Sequence, residues 1–231
     1  MQIVVVIPAL NEAESIEAVI AAIPRELAAR TIVVDNGSTD ETAARARAAG
    51  ATVLRTDPPG YGRACRFGAN HALADGADVI VFLDGDFSDD PGDMRELVAP
   101  LGRGEADLVV GSRLRGGLAA GAMPWHAQFG NRLISAMMRT IYGLPITDLG
   151  PFRAIRAPFY ASLAMTEMTY GWPVEMLAKA ARSHGRVHEI PVSYRRRIGR
   201  SKISGTIRGT IGATYFLLTR TFVYARWRAR T

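Results

Sequence analysis

Two aspartates separated by one glycine, Asp84 and Asp86, follow directly on the apolar run Val79-Ile80-Val81-Phe82-Leu83. A turn made pliable by Gly85 lets both carboxylates face one hard cation. Mg2+ or Mn2+ accepts one or two carboxylates and completes its shell with phosphate oxygens and water. The same three residues also make an ordinary loop, because Asp and Gly dominate turns. Two further polar clusters, Pro8-Ala9-Leu10-Asn11-Glu12 and Asp35-Asn36-Gly37-Ser38, each follow a Val/Ile-rich run in the same way. A carboxylate such as Asp35 at a strand end can accept nucleobase protons, and Gly37 lets the backbone come close. Asn11, Glu12 and Ser38 read equally as helix caps, roles that do not exclude ligand binding. In the company of the other two clusters, the cation reading of Asp84 and Asp86 outweighs the turn reading.

The elements that must position these clusters are legible in the periodicity. Short β-branched runs at residues 3–7, 31–35, 52–55, 79–83 and 108–110 lack polar alternation, as strands covered on both faces do. Between them lie helical patterns. Ile16, Ile20 and Ile23 recur at helical spacing, with Asn11 and Glu14 as a capping pair. Further start signals stand at Ser38-Thr39-Asp40-Glu41 and at Asp90-Pro91, with Pro in the first helical position. The rhythm predicts a Rossmann-like α/β fold with a doubly wound, mostly parallel sheet, whose ligands sit at the carboxyl ends of the strands. In the second half, Phe129, Leu133, Met137 and Ile141 predict an amphipathic helix. A strand or turn resumes around 148–153, followed by a helix over 174–183 and a strand over 187–192.

The totals narrow the setting. A chain of 231 residues with 48% hydrophobic and 22% charged residues can bury a full core. Cys65 is the single cysteine, which excludes an internal disulfide and a zinc cage and fits a reducing cytoplasm. The first residues lack the basic segment of a signal peptide, and no apolar stretch reaches the ~20 residues of a membrane span. There is no G-x-S-x-G elbow, and His71, His126, His184 and His188 have no metal-ligand spacing. The net charge of +6 is gathered at one end: residues 190–231 hold ten Lys/Arg and no acid. Such a block serves anionic lipid, phosphate or nucleic acid. No nucleic-acid motif accompanies it, so nucleic acid is set aside.

IPALNE, VVDNGSTDET, FLDGDFSDDP, VVGSR, DLGPFRAIR and IPVSYRRRIGRSK, in this order over residues 2–204, resemble glycosyltransferase family 2 with the GT-A fold. Within that family they are most similar to the dolichol-phosphate mannose synthases and related polyprenyl-phosphate sugar transferases. The resemblance implies a GT-A catalytic domain over 1–204. It implies an inverting hexosyltransferase that takes a nucleoside diphosphate sugar of the GDP-mannose or UDP-glucose type, uses Mg2+ or Mn2+, and transfers to a polyprenyl phosphate. Transfer to a soluble hydroxyl and silent sugar-nucleotide binding remain the alternatives. By the resemblance, Pro8, Ala9, Asn11, Glu12, Asp35 and Ser38 form the nucleoside pocket. Gly62 in Gly60-Tyr61-Gly62-Arg63 lines the diphosphate, where the residues alone read as a turn into a helix over 64–73. Asp84 reaches the ribose–diphosphate side, and Asp86, with Asp84, holds the metal. Ser88 and Asp89 stand where the synthases carry Gln and His, so Asp89 either contacts the metal or caps the next helix.

Charge building on the leaving diphosphate calls for a cation and positive side chains aimed at it. Arg195, Arg197, Arg200 and Lys202 are the candidates for the diphosphate. Arg113 and Arg153 are further candidates, which the resemblance places near the acceptor phosphate; a surface ion pair is the plain alternative for these two. Asp148 is either the base a hydroxyl acceptor would need or a residue orienting Arg153 and the bound phosphate. Residues 205–231 predict a basic amphipathic helix with Ile207, Ile211, Thr214, Leu218, Phe222 and Ala225 on one face and Arg226, Arg228 and Arg230 at its end. Such a helix lies in an anionic membrane interface or packs on the domain. The former places the protein peripherally at the cytoplasmic face of a membrane.

Overall fold

The structure, a computed structural model, describes residues 1–199 and 207–227, including all their side chains but those of 207–214. Seven strands, β1 (Ile3–Ala9), β2 (Ala28–Asp35), β3 (Thr52–Arg55), β4 (Val79–Phe82), β5 (Leu108–Ser112), β6 (Arg153–Arg156) and β7 (Val187–Pro191), form one sheet. Their order is β3-β2-β1-β4-β6-β5-β7. All pairings are parallel except those of β6, which runs antiparallel to both β4 and β5. The mostly parallel expectation holds, with one reversed strand inserted beside the centre. β1 is longer than the apolar run alone predicts, because Pro8 and Ala9 still pair with Val34 and Asp35.

Helices α1 (Ile16–Ala22), α2 (Thr42–Ala48) and α4 (Met94–Gly102) cover one face, where Ile3, Val5, Ile7, Val79 and Val81 are buried. Helices α3 (Tyr61–Ala74), α5 (Trp125–Tyr142), α6 (Ala157–Leu163) and α7 (Trp172–Arg182) cover the other, against Val4, Val6, Ile80 and Phe82. Alternate residues of each central strand thus feed two apolar layers, which is why the runs show no polar alternation.

Several expected helix starts are corrected. Asn11 has φ 53 and does not cap α1, which begins at Ile16 behind Ser15. Its Oδ1 instead accepts from Thr39 N at 2.8 Å, while Asn11 N donates to Ser38 Oγ at 3.0 Å. Ser38 is likewise no cap: α2 starts at Thr42, whose N donates to Asp40 Oδ1 at 3.0 Å. Both polar side chains are consumed in tying the β1 loop to the β2 loop. Asp90-Pro91 does open a helical turn, a 3-10 turn over Pro91–Asp93 with Asp90 accepting from Gly92 N.

The apolar stripe of α5 is divided: Phe129 and Leu133 are 65% and 43% exposed, whereas Met137 packs against the core beside the buried Asn131, Ile134, Ser135 and Met138. The last helix, α8 (Ile207–Val223), lies against α5 and α7. Its inward residues are Leu217, Leu218, Thr221 and then Tyr224. Phe222, on the same face as Leu218 by periodicity, is 61% exposed. Ile207, Ile211 and Thr214 of that face fall outside the described side chains, and Arg228 and Arg230 outside the described residues.

Candidate active site

The carboxyl ends of β1, β2 and β4 open onto a cleft of about 430 Å3. Its floor is Pro8, Ala9 and Leu10, one wall is Asn36 with Pro59, Gly60 and Tyr61, and the opposite rim is Asp84, Gly85 and Asp86. Thr169, Tyr170, Glu12 and Arg197 complete it. Strand register places this cleft: Asn36 N donates to Ala9 O at 2.8 Å, and Asn36 Oδ1 then accepts from Gly60 N at 2.7 Å. Ser15 Oγ donates to Gly85 O at 2.7 Å, hanging the aspartate turn on the start of α1.

Both aspartates border the cleft. Asp86 Oδ1 accepts from Ser88 N at 2.9 Å and from Ser88 Oγ at 2.6 Å, which fixes the carboxylate and leaves Oδ2 toward the cleft. Asp84 Oδ1 accepts from Tyr61 OH at 3.3 Å. Burial first, and the Asp86 charge second, push the Asp84 carboxyl up to about 7. Asp89 was a candidate cap, but Asp90 takes that role. Asp89 is instead 1% exposed, and neither of its oxygens is hydrogen-bonded. Burial drives its pKa well up, with Asp84 and Asp86 adding to the shift and Arg113 opposing it. Crowded carboxylates short of positive charge suit a hard divalent cation. Among the described residues no group of three metal-ligating side chains converges. Asp84 and Asp86 therefore fit an ion that draws the rest of its shell from diphosphate and water.

Protons compete with a cation for Asp84. Mn2+ affinity should fall about tenfold per pH unit below about pH 7 and level off above it. Titrations of Mn2+ across this range check the slope; a pH-independent affinity down to about pH 5 would remove Asp84 from the shell. The sign for the metal-free fold is opposite. A carboxyl raised on folding ionises first in the unfolded chain, so stability drops as pH rises from about 4 to 7.

The other predicted residues divide. Pro8, Ala9 and Glu12 line the cleft. Asp35 is buried, and its carboxylate accepts from Ser38 N at 2.8 Å and lies 3.8 Å from Arg55 Nη1. Asn11 and Ser38 bind one another behind the wall. Gly62 is not on the lining: a Cβ there would stand 2.6 Å from Glu167 O, so its smallness admits the 167–169 segment and the cleft wall is Gly60 and Tyr61.

Arg153 is corrected outright. It is fully buried, its guanidinium donates to the carbonyls of Leu149, Gly150 and Pro173, and it lies 5.8 Å from the Trp172 ring. Burial lowers its pKa to about 10. It cannot reach an acceptor.

Asp148 pairs with Arg113, not Arg153. Oδ2 accepts from Arg113 N and Nε at 2.7 and 2.9 Å, and Oδ1 from Arg113 Nη2 and Gly150 N at 2.7 and 3.1 Å. Burial would raise the Asp148 pKa, yet the Arg113 charge and these bonds hold it below the ordinary carboxylate value. A carboxylate so saturated is a poor base. It holds Arg113 over the Tyr194 ring, 5.1 Å from its centre. Arg195 is committed to Asp90 and stacks on Phe87. Arg197 reaches the cleft, 3.0 Å from Glu12 Oε1 and 3.1 Å from Asp86 Oδ2. Arg200 and Lys202 lie outside the described residues.

Asn36 belongs to the second polar cluster but had no role assigned to it, and Pro59, Thr169 and Tyr170 were not expected. Pro59 directly precedes Gly60-Tyr61-Gly62-Arg63, but nothing local marks the stretch before α7. It arrives because Arg63 N donates to Met168 O at 3.0 Å and Glu167 Oε1 gathers Met168 N, Thr169 N and Thr169 Oγ1.

A family model described as Glycosyl transferase family 2 matches residues 4–163. An uncharacterized glycosyltransferase of Mycobacterium tuberculosis is 42% identical over 210 residues, covering 90% of this chain and 93% of that protein. The undecaprenyl-phosphate mannosyltransferase of Micrococcus luteus is 33% identical over 242 residues, covering 98% of this chain and 96% of that protein. Glucosyl-3-phosphoglycerate synthase from Mycobacterium tuberculosis, solved with Mn2+, UDP-glucose and glycerol 3-phosphate, superposes with a TM-score of 0.78 at 26% identity. The match covers 97% of this chain and 80% of that one.

Proposed function

Because the chain belongs to glycosyltransferase family 2, we propose that it moves a hexose from a nucleoside diphosphate sugar to a polyprenyl phosphate at an anionic membrane surface. The mixed sheet is the GT-A fold. The observation that carries the reading is the pair Asp84 and Asp86, held at the end of β4 on the rim of a cleft large enough for a nucleotide.

In this reading the nucleoside lies over Pro8, Ala9 and Asn36, and Asp84 and Asp86 hold Mg2+ or Mn2+ against the diphosphate. When bound, the ion neutralises charge on the departing diphosphate. Ser88 keeps the Asp86 carboxylate aimed, and Tyr61 steadies Asp84. Arg197 is the described cation at the diphosphate side. The saturated Asp148 leaves Arg113 as a fixed positive face for the acceptor. That favours an acceptor that arrives ionised: a phosphate monoester, with second pKa ~6, needs no base at neutral pH.

The docking face is argued from α5 and α8. Trp125, Phe129 and Leu133 stand one helical turn apart and outward, with Tyr215, Phe222 and Val223 exposed on α8. Neither 108–147 nor 190–231 contains an acidic residue. Exposed aromatics on helices flanked by segments rich in arginine and free of acids suit a surface of anionic lipid. No described helix is long and apolar enough to cross a membrane. In this reading the exposed aromatics attach the protein peripherally, at the cytoplasmic face.

The test supplies purified protein with Mn2+ and labelled GDP-mannose or UDP-glucose, with phosphatidylglycerol vesicles carrying polyprenyl phosphate. Lipid-linked sugar should appear only with the lipid phosphate. Trp125→Ser with Phe129→Ser should release the protein from vesicles and slow lipid glycosylation, while donor binding in solution is kept. Turnover with a soluble hydroxyl or phosphoglycerate acceptor alone would replace the lipid acceptor. Binding without turnover on any acceptor would make the chain a sugar-nucleotide sensor.

A further inference from the structure

We propose that Arg197 is an internal stand-in for the divalent cation, occupying the carboxylates of the cleft until metal and diphosphate arrive together and displace it. This rests on Asp86 being a metal ligand. Asp86 has one oxygen committed to Ser88, so Oδ2 is the one turned to a cation, and Arg197 Nη1 lies 3.1 Å from that oxygen. Arg197 Nη2 lies 3.0 Å from Glu12 Oε1, on the same cleft. The guanidinium thus bridges two acidic groups that line the cleft.

The placement is built into the backbone. Arg195 N donates to Ser88 O at 2.8 Å and Ile198 N to Asp86 O at 2.9 Å, so segment 195–198 runs along the aspartate turn like an added strand. Neighbouring arginines do not share the position: Arg195 pairs with Asp90, and Arg196 Nε donates to Ala120 O. Arg197 Nε is buried with no acceptor, so the resting contact leaves one donor unused. A guanidinium fork matches phosphate oxygens bidentately and can satisfy more donors there. A metal ion at Oδ2 and Arg197 on the same oxygen repel. Metal alone must therefore break the Arg197–Asp86 contact and leave Arg197 only Glu12, whereas metal with a diphosphate offers Arg197 a new partner. The arrangement couples the two ligands: each binds better when the other is present.

The experiment follows Mn2+ binding by the paramagnetic signal of free Mn2+, in wild type, Arg197→Gln, Arg197→Lys and Asp86→Ala, without nucleotide and with UDP or GDP. In wild type, nucleotide should strengthen Mn2+ binding on the order of tenfold or more. Arg197→Gln should bind Mn2+ more tightly than wild type in the absence of nucleotide, on the order of tenfold, and lose most of the nucleotide effect. Arg197→Lys should retain part of that competition. A nucleotide-free affinity unchanged or weakened in Arg197→Gln, with its thermal melt intact, overturns the inference while leaving the metal site in place. Absence of Mn2+ binding in wild type even with nucleotide, or full binding in Asp86→Ala, overturns the metal assignment itself and this inference with it.

Discussion

Asp86→Ala should reduce sugar transfer on the order of 10²–10³-fold while leaving the protein folded. Its Oδ2 faces the cleft, and its Oδ1 is used only by Ser88, so removing the side chain strips the cation position without opening the core. Two effects on the fold oppose one another: Ser88 N and Oγ lose their acceptor, while Asp84 loses a neighbouring negative charge that helps raise its pKa, and Arg197 keeps Glu12. Thermal melts of the metal-free protein should therefore stay within about 5 °C of wild type, while stabilisation by Mn2+ with nucleotide disappears. Asp86→Asn should behave similarly, because a neutral amide keeps the Ser88 contact and loses the charge. Turnover near the wild-type rate in Asp86→Ala would sink the functional reading, whatever the nucleotide affinity.

The largest effect on stability is expected at Asp148. Asp148→Asn leaves the Arg113 guanidinium, 14% exposed, without its counter-charge and puts an amide donor against its donors. Breaking one side of a buried ion pair costs about 3–5 kcal/mol. In a domain of this size that lowers Tm on the order of 10 °C. Replacing both partners, Asp148→Asn with Arg113→Met, should recover part of the lost stability, because no charge is stranded and the Asn oxygen can still accept from a backbone donor of Arg113 or Gly150. Sugar transfer should not return with it, since the positive face toward the acceptor is gone. Calorimetry on the two single variants and the double variant checks this. A Tm within about 2 °C of wild type in Asp148→Asn would show that the pair is not the buried brace described here.

The aspartate pair was legible because five apolar residues precede it, and a run of that kind can only be a strand covered on both faces. Strand direction followed from the βα rhythm, and with it the end of the sheet where a ligand must lie. The arginines were not legible in this way. Arg113, Arg153 and Arg197 are chemically identical letters in a sequence. One braces Asp148, one is sunk against Trp172, and one reaches the cleft and pairs with Glu12 and Asp86, because only the packing decides which carboxylate or carbonyl each fork meets. Asn11 and Ser38 failed as caps for a related reason. Side-chain oxygens that suit a local helix start were taken by partners 27 and 28 residues away.

The apolar stripe of α5 gives a second lesson. Phe129 and Leu133 have the spacing of a core face, yet Asn131, Ile134, Ser135 and Met138 are the ones buried. Periodicity reports that a helix has an apolar side and is silent on whether the neighbour is sheet or lipid.

By itself the chain of residues determined the layered α/β architecture, the end of the sheet where the cleft opens, and the two carboxylates set there, since these depend on local polarity patterns that short-range geometry translates directly. Tertiary structure alone decided which cations serve the cleft and which serve the core, that Thr169 and Tyr170 close it, and that Asp89 stands buried without a partner. Those outcomes turn on contacts between segments far apart in the chain, whose free energies come from burial and charge pairing that no local pattern records.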